Sequence, residues 1–377
     1  MKNHFLLAIL FLAGSGWPLR AQTTLQTIWE TNAHVDYVRS VDFSGDSKRL
    51  ASGSPDGYVK VWALATNAPV QSIFTFNDTM LSVALSSDGS LVGAGSGSGS
   101  SRMWRVGDGV RLWRGGPENE LAWSVCFSSN DLFFGIGRTD GINVREALTG
   151  VGALIGEPEE EVYSVAFSPD GQWLASGNQN RNASLWRVGS LTEFQTYTGH
   201  ANSVVSVDFS RDGSLLLTGS SDGTARLWNV TNGVPLLVIT NGGGVVKFLG
   251  DGRYVMNLDA ASTFKIFRVS DGHQVGGFIN TGATCFAAAR DGRYFAYGTG
   301  SGTVVLAYAP LIIEPFTRDC RRVIMHWTGG SGDYQVQRRL RKRGAKFRNY
   351  GPPTVATSAR VVSRDHYVYR VISLPPP

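Results

Sequence analysis

A chain of 377 residues with 46 glycines, 17% charged residues and a formal net charge of +5 is too apolar to be disordered and too long for one small domain. Its three cysteines, at 126, 285 and 320, are odd in number and widely scattered. That excludes a disulfide framework, and no Cys or His stands at ligand spacing from another, which argues against a metal site.

Residues 1–21 read as a cleavable export signal. Lys2 and His4 form a polar start, residues 5–13 are apolar, and small residues with Pro18 lead to Ala21. The apolar run is shorter than the ~20 residues a spanning helix needs. Residues 23–30 (TTLQTIWE) follow with the composition of a strand.

From there a block recurs about every 40 residues, the period of stacked repeats. It reads VRSVDFSGDSKRLASGS from Val38, LSVALSSDGSLVGAGS from Leu81 and WSVCFSSNDLFFGIG from Trp123. It continues as YSVAFSPDGQWLASGN from Tyr163, VSVDFSRDGSLLLTGS from Val205, VVKFLGDGRYVMNL from Val245 and TCFAAARDGRYFAYGT from Thr284. Period-two apolar residues (Val41, Phe43; Val207, Phe209) flank Asp-Gly turn chemistry, so each block predicts strands rather than helix. A closing aromatic ends most copies, at Trp62, Trp104, Trp186, Trp228 and Phe267. Glu146 takes that place in the third copy and Ala307 in the seventh. Three strands per block, and room for a fourth in the intervening segment, bury both faces of every sheet only when the units stack in a ring. The reading is an all-β seven-bladed propeller over 22–308, a linker over 309–318 and a small basic β domain over 319–377.

The repeat resembles the WD-repeat family over about residues 23–308. That resemblance implies a hydrogen-bonded tetrad in the best-preserved copies: His34, Ser52, Asp56 and Trp62 in the first, and His200, Thr218, Asp222 and Trp228 in the fifth. The offsets from the histidine are the same in both. The fourth copy keeps Ser176 and Trp186 but has Asn180 for the aspartate and no histidine. Copies two, three, six and seven are expected to rely on apolar packing and to be the softer part of the ring. The resemblance also implies that the N-terminal strand completes the last blade.

After Tyr308 the period stops. Strand signals RRVIMHW, DYQVQRRLR and HYVYRVISL follow, with GGSGD as a hairpin turn between the first two. The order of Trp327, Tyr334 and Tyr367 resembles a small fibronectin type III-like sandwich. This segment carries a net charge of +9 from residue 309 on, against −6 for the propeller region. The basic residues cluster at Arg338, Arg339, Arg341, Lys342, Arg343, Lys346 and Arg348. Such a cluster suits an acidic glycan or envelope surface held by charge, or a solvated hairpin. Export and the lack of a recognisable motif argue against nucleic acid.

No catalytic or cofactor motif is present, the six histidines are scattered, and no cofactor is expected. The run GAGSGSGSS from Gly93 reads as a blade turn that has lost its aspartate. Glutamates 157 and 159–161 form an acidic loop before the fourth copy. The copies differ most at one position four residues before the first strand's closing Phe or Leu: Arg39, Leu81, Trp123, Tyr163 and Val205. The next residue is serine in all five. A constant frame with one varied residue suits a ring of partner contacts, and Arg, Trp and Tyr dominate binding energy at interfaces. The expectation is an exported, non-enzymatic scaffold for a protein or peptide. A surface-binding protein acting through the basic tail and a propeller enzyme with an unrecognised site are the alternatives.

Overall fold

The computed structural model describes residues 26–309 except 76–77, 117–119, 156–159 and 280; for 153–155, and for the strands beyond 309, only the backbone is described. The proposed export segment, residues 1–21, lies outside the described residues.

Alternating apolar residues and tight turns produce seven four-stranded antiparallel sheets. In blade one Ser40–Phe43, Arg49–Gly53, Tyr58–Ala63 and Ala68–Phe74 pair in chain order. The first strand of each blade lies against the first strands of both neighbours, and that of blade seven lies against that of blade one. The seven sheets therefore form a closed ring. In blade seven the sheet is Ala283–Ala288, Tyr294–Thr299 and Thr303–Tyr308, and Thr27–Asn32 pairs antiparallel with the last of these.

The turn between the first two strands is built the same way around much of the ring. In blade five the Ser210 hydroxyl donates to Asp212 at 2.6 Å. Asp212 accepts the Ser214 N–H at 3.1 Å, and the Ser210 oxygen accepts the Leu215 N–H at 2.9 Å. Gly213 follows at φ 72°, a left-handed conformation that costs a glycine little. The recurring Asp-Gly pairs are thus turn-forming residues.

The apolar cores lie between blades. Ala51, Val59, Val61 and Ile73 of blade one pack on Met80, Val83, Val92 and Trp104 of blade two, and each of the seven joints carries a layer of this kind. Adjacent sheets share no main-chain ladder, so packing alone would leave their relative slide loosely fixed. The serine of the repeated frame supplies a directional constraint that recurs from joint to joint. The Oγ atoms of Ser40, Ser82, Ser124, Ser164 and Ser206 accept the backbone N–H of Val83, Val125, Val165, Val207 and Val246, each at 3.1 Å. At the joint between blades six and seven, Val245 replaces the serine. There Phe264, Phe286 and Phe295 pack edge-on, with centroids 5.3 and 5.9 Å from Phe264. At the joint between blades seven and one, Thr284 and Cys285 donate to the Val38 carbonyl instead.

The register corrects one sequence expectation. Trp62, Trp186 and Trp228 stand opposite Leu50, Leu174 and Leu216. The matching residue of blade three, Phe134, faces Arg145, not Glu146. The turn between the second and third strands is one residue shorter there, which shifts the third strand. Arg145 lies over the Trp113 ring, 5.9 Å from its centroid.

Beyond residue 309, Arg322–Thr328 pairs with Ile312–Ile313, Thr317–Asp319 and Ser358–Val362. Tyr334–Leu340 pairs with Arg348–Asn349 and Tyr367–Ser373. The strands flanking GGSGD therefore do not form the expected hairpin, because each finds its partners in a different sheet. Residues 329–333 and 341–347, the latter holding much of the basic cluster, lie outside the described residues.

Replacing Ser124 by Ala should leave the Val165 N–H without its acceptor and cost about 1–3 kcal/mol, while Ser124→Thr, which keeps the hydroxyl, should cost less. Urea denaturation of the two variants checks this; equal losses would remove the hydrogen bond from the account.

Candidate functional site

The two complete tetrads form inside their blades. In blade five the Trp228 indole N–H donates to Thr218 Oγ1 at 2.9 Å, Thr218 Oγ1 lies 2.8 Å from His200 Nε2, and His200 Nδ1 lies 2.9 Å from Asp222. In blade one Trp62 reaches Ser52 at 3.3 Å, Ser52 Oγ is 2.8 Å from His34 Nε2, and His34 Nδ1 is 2.9 Å from Asp56. A neutral imidazole with its hydrogen on Nδ1 satisfies the whole chain: indole to hydroxyl, hydroxyl to Nε2, Nδ1–H to carboxylate. Burial lowers the pKa of both histidines against the opposing pull of their aspartates. Burial alone would raise the pKa of Asp222. The Ala201 N–H, the Thr224 hydroxyl and His200 instead hold it well below the usual carboxylate range. Gly199 precedes His200 at φ 144°, and a Cβ there would lie 2.7 Å from Arg226 Nη1. A side chain at that φ would be strained; in blade one Ala33 takes the matching place without a positive φ.

The other blades fill the same space differently. Blade four keeps Trp186 Nε1 to Ser176 Oγ at 3.0 Å, and Asn180 turns to Glu160. In blade two Ala94 stands where Ser52 and Thr218 supply the hydroxyl. Asp78, before the first strand, accepts Ser98 Oγ at 2.6 Å and Arg102 Nη2 at 2.6 Å. The turn that lost its aspartate thus receives a carboxylate from the facing loop. In blade three Arg138, 1% exposed, pairs with Asp140 at 2.6 Å and donates to the Gly99 carbonyl of blade two at 3.0 Å. Sequence reasoning missed both ion pairs. Their signal was an arginine and an aspartate appearing in copies that had lost the His–hydroxyl set.

Four of the five varied residues share a structural cause. The ladder between first and second strands slips at Leu81, Trp123, Tyr163 and Val205, which lie between paired neighbours as the extra residue of a β-bulge. A bulge re-aims its side chain and leaves it outside the ladder. Thr284 holds the same place in blade seven, and in blade one Arg39 stands just before the paired strand, exposed. In blade six Gly244 fills it at φ 92°, where a Cβ would lie 2.4 Å from the Leu258 carbonyl oxygen. Trp123 and Tyr163 meet edge-on with centroids 5.7 Å apart, both half-buried. The Tyr163 hydroxyl donates to Glu161 at 2.7 Å, and Gln179 Nε2 donates to the same carboxylate at 2.8 Å. Trp123 Nε1 finds no acceptor among the described residues.

First strands also carry charge. Asp42 and Asp208 accept the N–H groups of Leu85 and Phe248 in the next blade at 2.9 and 2.8 Å, and Lys247 lies 3.8 Å from Asp208. Burial pushes the Asp42 carboxyl up to about 6 and raises that of Asp208. The same effect takes the thiols of Cys126 and Cys285 up to about 12 and about 11, so neither is poised as a nucleophile. No group of three or more His, Cys, Asp or Glu among the described residues could hold a metal ion.

Thr218→Ala should strand two buried nitrogens and cost on the order of 2–4 kcal/mol in chemical denaturation, whereas a loss under 1 kcal/mol would mean the tetrad contributes little. Two titrations should act in opposite directions. His200 has a lowered folded pKa, so below pH ~6.5 the unfolded chain binds more protons and stability falls with pH. Asp42 has a raised one, so between its unfolded value near 3.8 and about 6 the folded state holds the extra proton and stability rises as pH falls. Between pH 7 and 5, His200→Gln should therefore lose less thermal stability than the parent, and Asp42→Asn more. Melting curves at the two pH values decide both signs.

The WD domain, G-beta repeat family matches residues 24–63, 151–187 and 191–229. These segments take in the first three strands of blades one, four and five, the three blades that keep the hydroxyl–tryptophan bond. A comparison with curated proteins returns no match. Three matched repeats within seven four-stranded blades closed in a ring support a WD-repeat β-propeller.

Proposed function

We propose that this chain is an exported, non-enzymatic scaffold that holds a protein or peptide on the propeller face carrying the β-bulges. The propeller fold is consistent with a protein-binding scaffold. The observation that carries the reading is the bulge row itself. Flanking residues are fixed by the ladder, the core and the serine bonds, while the residue outside the ladder changes from blade to blade. Trp123 and Tyr163 form its centre, two half-buried aromatic rings packed edge-on with the Glu161 carboxylate beside them. Aromatic anchors of this kind supply much of the energy at interfaces.

Export rests on the sequence of residues 1–21. The N-terminal strand, Thr27–Asn32, acts in this reading as a clasp that completes blade seven and joins the chain's start to the end of the ring. The segment beyond residue 309 is a fibronectin type III-like appendage, and its division into two separately paired sheets supports that reading.

Partner capture from the protein's native extracellular or envelope fraction should fall at least tenfold for the Trp123→Ala/Tyr163→Ala double variant, a change of about 1.4 kcal/mol or more. Its melting temperature should stay close to the parent's. Undiminished capture by a folded double variant would reject the face assignment, and capture by the isolated segment from residue 309 on would move binding to the tail.

A further inference from the structure

The chain enters blade four as it enters its neighbours, except for one charge. The residue two before the bulge gives its carbonyl to the facing turn. Thr79, Leu121, Glu161 and Ser203 accept the N–H groups of Gly97, Thr139, Gln179 and Ser221 at 2.8, 3.1, 2.9 and 3.0 Å. The main chain is thus held alike in four blades, and in blade four alone of these the place carries a charged side chain.

Glu161 is half-buried, and the donors that hold it are neutral. The Tyr163 hydroxyl and Gln179 Nε2 both bond its Oε2, at 2.7 and 2.8 Å, and its Oε1 has no partner among the described residues. Burial and this carboxylate raise the Tyr163 pKa, so the phenol remains the donor. Before blade three, Glu120 likewise receives a neutral donor, the Thr139 hydroxyl. No lysine or arginine pairs with Glu161 or Glu120 among the described residues. Arg138 is already matched by Asp140 at 2.6 Å, and Arg181, on the blade-four turn, is exposed. Trp123 and Tyr163, the bulged residues of these two blades, meet at an interplanar angle of 69°. The edge of one ring meets the face of the other, so the pair does not bury face against face.

We propose that Trp123, Tyr163 and Glu161 together seat a lysine or arginine side chain of the partner, an inference that rests on the bulge-row face proposed above. The face of an aromatic ring attracts a cation, and more strongly once the cation is desolvated. A carboxylate held only by neutral donors keeps its charge for that cation. Opposite charge also steers encounter and disfavours acidic partners. An apolar partner would cover the rings but bury Glu161 without a counter-charge, which is costly.

Fluorescence anisotropy of labelled dodecapeptides with the whole chain tests this. Four repeats of Gly-Ser-Lys are compared with the same peptide carrying arginine, norleucine or glutamate in place of lysine. Saturable binding of the lysine and arginine peptides is expected, weakening with salt, while the other two are not held. Glu161→Gln keeps an acceptor for Tyr163, and Trp123→Leu keeps apolar bulk without the ring. Each should weaken binding about two- to fivefold. Glu193→Gln, the same change of charge on the outer strand of blade four, should leave it unchanged. No saturable uptake, equal binding of the norleucine peptide, or no more weakening by Glu161→Gln than by Glu193→Gln overturns the proposal. If Trp123→Ala/Tyr163→Ala loses the native partner and Glu161→Gln holds it fully, the face stands and the cation seat falls. If the double variant holds it fully, the face falls and the seat with it.

Discussion

The bond from a serine hydroxyl to the backbone of the next blade is the constraint on which the rest of this ring depends. Sheets that meet face to face are held by apolar packing, which is favourable but has no preferred direction. A blade could slide along its neighbour and lose little buried area. The five serine bonds, all at the same distance, fix that slide at five of the seven joints. They also fix where each inner strand enters the ring, and hence where its bulged residue stands. At the two remaining joints the sequence changes means: a cluster of phenylalanines between blades six and seven, and donors from Thr284 and Cys285 between blades seven and one.

A second need is common to the blades, and they meet it in different chemistries. The corner between the turn and the third strand is enclosed, so polar groups there must find partners. Blades one and five use histidine, hydroxyl, aspartate and tryptophan. Blade two uses Asp78 with Arg102, and blade three uses Arg138 with Asp140. A buried ion pair is the more exacting choice, because each charge must be matched to offset its desolvation. Blade three also carries Trp123, one partner of the aromatic pair. The departures from the regular repeat and the aromatic pair thus lie in neighbouring blades.

Much of this was legible in the sequence because the determinants are local. Period, turn residues and the offsets from His34 and His200 all lie within one blade, so reading along the chain suffices. The distance from His200 to Trp228 is a property of three strands and two turns. What stayed hidden lies between blades. The serine of the frame was visible as constant, but its partner is some 40 residues away and is a backbone N–H, which has no sequence signature. Asp78 and Arg102 were overlooked because the carboxylate comes from the facing loop rather than from the turn. The placement of Glu146 failed for a smaller reason: one residue missing from a turn shifts every later position, and composition does not record it. The GGSGD hairpin failed because turn chemistry tells where a chain reverses, not which strand receives it.

The regularity of the ring also explains where variation is permitted. On the first strand, one set of side chains enters the inter-blade core, as Val41, Val83, Val125, Val165 and Val207 do, and the serine is committed to the neighbouring blade. Substitution at either place disturbs two blades at once. The bulged residue belongs to neither set, since the ladder passes it by. It can be leucine, tryptophan, tyrosine, valine or threonine without altering the register of its strand. Blade six marks the limit of that freedom. Its strand has no bulge, the main chain closes on the Leu258 carbonyl, and only glycine fits at 244. A surface that can vary without cost to the scaffold is the surface on which recognition can be built, and here it takes its form from the bond that holds the blades in place.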